Sequence, residues 1–87
     1  MTLDGAVLSE QGITFALATV PFALLKDPSQ AVDLLAGLRE HVFPGLPVVL
    51  MTREWSGKPH YYGDPDCERV MQNIHVSRIA WSRYTLA

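Results

Sequence analysis

A chain of 87 residues holds one hydrophobic core and leaves no room for a second, so 1–87 is expected to fold as a single domain. Apolar residues make up 48% of it and charged residues 18%, against a usual charged share of about 25%. The net charge is −2 and Lys and Arg nowhere cluster, so the chain lacks the basic surface that nucleic acid requires.

Scaling of surface with mass gives a folded area of roughly 5,100 Å² and burial of about 64% of the unfolded surface. A small domain has proportionally more surface and should need more charge, not less. The apolar surplus therefore predicts that another chain covers part of this one. A single cysteine, Cys67, excludes an internal disulfide and a four-cysteine zinc site, and fits a reducing, cytoplasmic setting.

Ala6-Val7-Leu8 begins a short strand that runs into a reversal at Gly12, where a positive φ is tolerated. Ile13 to Val20 follows with Ile13, Phe15 and Leu17 on one face and Thr14, Ala16 and Ala18 on the other. These two segments read as an antiparallel hairpin, ended by Pro21, which has no N–H to donate. The apolar run from Ile13 to Leu25 has no basic residue before it and contains Pro21. It reads as a buried strand and its exit, not as a secretion signal or a membrane span.

A first helix is predicted from Pro28 to about Val42. Asp27 stands at the cap, Pro28 occupies the first turn, and Gln30 has capping-box spacing. Ala31, Leu34, Leu35, Leu38 and Val42 form its apolar stripe. Gly37 interrupts that stripe and suggests a close approach to the sheet. Pro44-Gly45-Leu46-Pro47 ends the helix, and Val48 to Thr52 reads as an interior strand parallel to the second one.

Trp55-Ser56-Gly57-Lys58 reads as a turn, and Pro59 leads into an edge strand of His60, Tyr61 and Tyr62. A second helix begins at Pro65 behind Asp64, with Cys67, Val70, Met71 and Ile74 as its stripe and His75 near its end. Ile79 to Leu86 reads as the last strand. Trp81, Arg83 and Thr85 alternate there against Ala80, Ser82, Tyr84 and Leu86.

The order β-β-α-β-β-α-β predicts an α+β domain. The expected form is a two-layer sandwich, with one mixed sheet of four to five strands and both helices on one face. That arrangement leaves the second face open, although Val48 to Met51 contain no polar residue. A partner is expected to cover it.

Candidate chemistry is sparse. Cys67 lies near a helix N-terminus, where a thiolate is favoured, but Asp64, Asp66 and Glu68 surround it and the apolar stripe claims it, so it reads as structural. His41, His60, Asp64, Asp66, Cys67 and His75 form no recognised metal-ligand pattern, and no metal or cofactor is expected. The segment from Arg53 to Tyr62 gathers Trp55, Tyr61, Tyr62, His60 and two cations. Those are residue types that interface centres favour, and the alternative is that Trp55 and one tyrosine fold back onto the sheet.

The expected function is that of a small cytoplasmic interaction module without catalysis, self-associating through an open sheet face or an edge strand. Arg53, Trp55, Tyr61 and Tyr62 are the expected contact residues. A homodimer is the simplest partner, another protein subunit the next. No nucleic acid or membrane is expected as a partner. The alternative is a small enzyme or ligand-binding protein using His60 and Asp64, with Arg53 and Tyr62, where the Trp55 hairpin meets the second helix. A regulatory subunit of a larger complex is a third reading.

Overall fold

The computed structural model describes residues 2–53 and 59–86. Its strands are β1 (Thr2–Glu10), β2 (Ile13–Thr19), β3 (Val48–Arg53), β4 (Pro59–Gly63) and β5 (Ser82–Thr85). They form one mixed sheet in the order β4-β3-β2-β1-β5, in which only β2 and β3 run parallel. The helices are α1 (Phe22–Leu25), α2 (Pro28–Gly37) and α3 (Pro65–Met71). A π-helical turn, Leu38–Val42, continues α2, and a 3₁₀ turn spans Val76–Arg78. The α+β class, the single mixed sheet and the order of elements agree with the sequence reading.

The placement of the helices does not. They lie on opposite faces, giving three layers in place of the expected two. On one face, Ala16, Ala18, Val48 and Leu50 pack with Ala31, Leu34 and Leu38. On the other, Phe15, Leu17, Val49 and Met51 pack with Cys67, Val70 and Met71. The reason lies in the strands themselves. β2 and β3 are apolar at both odd and even positions, so each face must be roofed. The route of the chain allows it, because β4 and β5 are antiparallel edge strands on opposite sides of the sheet. The rule for parallel crossovers does not constrain their connection, which returns over the uncovered face.

Local chemistry fixes the starts of both long helices. Asp27 accepts from the backbone N–H of Ser29 at 3.2 Å and of Gln30 at 3.4 Å. The Gln30 side-chain amide donates to the Asp27 carboxylate at 2.9 Å, whereas in a capping box it would accept from the Asp27 backbone N–H. That backbone N–H is already committed to the Leu24 carbonyl at 3.2 Å, as α1 runs into α2. Asp64 caps α3 by accepting from Asp66 and Cys67 at 3.0 and 3.2 Å.

Several boundaries differ from expectation. β1 starts at Thr2, because its first residues pair with β5 (Thr2 opposite Thr85, Leu3 opposite Tyr84). The stretch after Pro21 forms α1, whose Leu24 and Leu25 pack on the first core. α3 ends at Met71, four residues before His75, and the chain turns through Asn73. Ile74 still packs against the second core from that turn, so its place in the apolar stripe was set by burial and not by helix. β5 starts only at Ser82. Ile79 and Trp81 precede it and pack against the second core, whereas Tyr84 and Leu86 pack against the first. The expected turn at Trp55–Lys58 lies outside the described residues.

Two backbone positions need particular residues. In the β1–β2 reversal both Gln11 (φ 52°) and Gly12 (φ 79°) are left-handed, as a two-residue type I′ hairpin requires. Gly63 has φ 149°, and a Cβ there would run into the Val48 carbonyl. Gly37 makes no close approach to the sheet: an added Cβ would meet only the Leu86 side chain, at an ordinary 3.5 Å.

Opposite outcomes are expected at the two glycines. Gly63→Ala should destabilise by about 2 kcal/mol or more, through strain and backbone collision. Gly37→Ala should stabilise by up to about 1 kcal/mol through helix propensity. Urea unfolding of the three proteins checks both signs.

Asp27 supplies a pH prediction. The Ser29 and then the Gln30 side-chain hydrogen bonds hold its carboxyl below the ordinary 3.8. A lowered folded pKa means that the contribution is fully present above 3.8 and is lost as pH falls through the folded value. Asp27→Asn should therefore flatten this part of the acid limb of a stability-versus-pH curve, leaving a smaller wild-type advantage at low pH than at pH 6.

Candidate functional site

β4 carries most of the residues singled out in the sequence, and strand alternation divides them. Tyr61 stands opposite Met51 and packs against the second core on the α3 side. His60 and Tyr62 stand opposite Thr52 and Leu50, on the α2 side. The His60 ring lies 5.6 Å from that of Phe22, and the Lys26 ammonium sits 5.0 Å from the Phe22 centroid. Phe22 is 36% exposed and Tyr62 37% exposed. The result is an aromatic surface running along the outer rim of the sheet, from α1 to the end of β4. One of the two tyrosines therefore joins the core and the other does not. Arg53 closes β3 opposite Pro59. Trp55 lies outside the described residues.

His60 and Asp64 do not share a site. They stand at opposite ends of β4, about 13 Å apart at ~3.3 Å per residue. Asp64 is occupied with the first turn of α3. The Trp55 side of the expected ligand pocket lies outside the described residues.

Cys67 is 1% exposed and belongs to the second core. Burial, and then the negative charge of Asp64 and Asp66, pushes its thiol up to about 11. A neutral, buried thiol is a poor nucleophile. Among the described residues, no three His, Cys, Asp or Glu side chains gather to hold a metal ion.

A second constellation was not anticipated. At the carboxyl ends of β2 and β3 the α3-side face of the sheet turns from apolar to polar. β2 passes from Phe15 and Leu17 to Thr19, and β1 passes from Leu8 and Ala6 to Asp4 and Thr2. Arg83 of β5 stands opposite Asp4, with its Nε 3.6 Å from Asp4 Oδ1. The Thr19 hydroxyl donates to the Asp4 carbonyl at 3.1 Å. A cleft of about 370 Å³ opens there, lined by Asp4, Thr19, Val20, Met51, Thr52 and Trp81. α3 covers the apolar half of this face and leaves the polar half to the cleft. The signal was present in the sequence as two alternating patterns that lose their apolar member at one end. Only the register shows that they lose it at the same place.

Comparison of the chain with known protein families, with curated proteins and with solved structures finds no match.

Two measurements check the electrostatics at the start of α3. The Cys67 thiol should resist a disulfide reagent in the folded protein at pH 8 and react fully in denaturant. Rapid native labelling would contradict its placement. Burial, then Asp64, raises the Glu68 carboxyl above its ordinary range. A raised folded pKa means that ionising Glu68 costs stability at neutral pH, a cost that disappears as pH falls below the ordinary value of 4.5. Glu68→Gln should thus be more stable than wild type at pH 7 and equal to it at pH 4 or below.

Proposed function

We propose that this chain is a small, non-catalytic protein-interaction module of the cytoplasm that pairs with a second copy of itself along the β4 rim. Each face of the sheet carries a helix, so the association runs along an edge and not over an open face. The observation that carries the proposal is the alignment of Phe22, His60 and Tyr62 along one edge of the sheet, with Phe22 and Tyr62 exposed. Aromatic side chains contribute large contact area at low entropic cost and dominate interface energetics.

A second copy is the favoured partner on geometric grounds. Most soluble oligomers are two-fold symmetric. A two-fold axis perpendicular to the sheet sets two β4 edges antiparallel and keeps their α2 sides together. Tyr62 of one copy then meets the His60–Phe22 surface of the other. No described helix is long and apolar enough to cross a membrane. The lone cysteine is a buried free thiol, which suits a reducing compartment.

Sedimentation equilibrium should report twice the 9.7 kDa chain mass at tens of micromolar. Tyr62→Glu and Phe22→Glu should each weaken association by about tenfold or more, roughly 1.4 kcal/mol. Val32→Glu, at an exposed position on α2, should leave it unchanged. A single-chain mass for the wild-type protein rejects the proposal. So does a dimer that tolerates both rim substitutions.

A further inference from the structure

We infer that the cleft at the carboxyl ends of β2 and β3 binds a neutral sugar ring, on a surface separate from the β4 rim. The placement is favourable in itself. Where strands end together beyond their covering helix, side chains from several of them converge, and ligands of α/β sheets bind at such carboxyl ends. At about 370 Å³ the cleft is near the lower end of the range for small-molecule sites and suits one ring.

The cleft shares Asp4, Thr19 and Val20 with an adjoining groove of about 340 Å³ that Arg83 lines, and the chemistry of this joint lining selects the ligand class. Asp4 and Arg83 stand side by side, exposed to solvent, with Nε and Oδ1 3.6 Å apart. An exposed pair of this kind contributes little to stability, so both groups remain available to a ligand. Together they carry no net charge. An anion would meet the Asp4 carboxylate and a cation the Arg83 guanidinium. A hydroxyl group both donates and accepts, so adjacent hydroxyls on a ring can give a proton to the carboxylate and take one from the guanidinium. Thr19 adds a hydroxyl beside them. Trp81, half-buried against the second core, and Met51 supply apolar wall for the C–H face of a ring.

A small zwitterion such as an amino acid is the nearest competitor, because it too carries one charge of each sign. Its charges must separate Asp4 from Arg83, whereas a diol bridges them as they stand.

The test uses the full chain, labelled with ¹⁵N and titrated with D-glucose, D-galactose, D-mannose and D-ribose, and separately with glycine. At least one sugar should give saturable shifts at the amides of Asp4, Thr19 and Arg83 and at the Trp81 indole, with a millimolar Kd. Asp4→Asn and Arg83→Gln should each weaken that binding by about tenfold while the spectrum keeps its folded dispersion. The fold is expected to survive both changes, since the hydrogen bond from Thr19 goes to the Asp4 backbone carbonyl. The inference is overturned if none of the four sugars gives saturable shifts, if the shifts fall elsewhere on the molecule, if both variants bind as wild type does, or if glycine alone binds.

Discussion

The parallel pair β2–β3 governs this molecule, because both strands are apolar on both sides. Phe15, Leu17 and Val49 are fully buried on the α3 side, and Ala16, Ala18 and Leu50 are fully buried on the α2 side. Such a pair cannot sit in a two-layer domain without exposing one row. Every larger feature follows from supplying two roofs. α2 and its π-helical extension close one side. α3 and the segment carrying Ile79 and Trp81 close the other. The π-helical turn belongs to the same demand: the Phe43 N–H bonds to the Leu38 carbonyl at 2.7 Å, five residues back, and Phe43 enters the first core with its ring 4.8 Å from Tyr84. The extra residue in that turn is what swings Phe43 round to the sheet.

Most of the fold was legible in the sequence because its punctuation is chemical. Asp-Pro at 27–28 and 64–65 defines both helix starts by hydrogen bonds that need no tertiary context. Gly12 and Pro21 bound β2 for equally local reasons. What failed was non-local. The assignment of helices to faces depends on strand order, and the β4 to β5 connection spans the whole sheet. An apolar stripe also reports burial, not helicity. Ile74 keeps its inward position from a turn, so the apolar stripe extends beyond the helix, which ends at Met71. α1 was hidden because its four residues continue an apolar run that already read as a strand and its exit.

The surface chemistry was less legible, for a related reason. Arg53, His60, Tyr61 and Tyr62 are neighbours in sequence, and that nearness suggested one contact patch. A strand sends adjacent residues to opposite faces, so Tyr61 belongs to the core beneath α3 and Tyr62 to the rim beside α2. Asp4, Thr19 and Arg83 show the reverse case. They are far apart in the chain, and antiparallel register brings them together.

Composition alone suggested that another chain must cover the surplus of apolar residues. The accessible surface, 5401 Å², lies close to the roughly 5,100 Å² that scaling assigns to a protein of this mass. The surplus has gone into a sheet with two apolar sides, which consumes more hydrophobic sequence per residue of chain than a one-sided sheet does. Low charge is therefore a consequence of the layering, and carries no information about partners. Double cover leaves the outer strands and the strand ends as the parts of the sheet that the helices do not roof. The hairpin end is sealed by the Ser9–Thr14 hydroxyl contact at 2.9 Å and presents short polar groups. β5 is four residues long, with Tyr84 turned inward. Among the described residues, the aromatic rim along β4 and the polar cleft beyond α3 are margins of the sheet where side-chain chemistry exceeds what the fold itself requires.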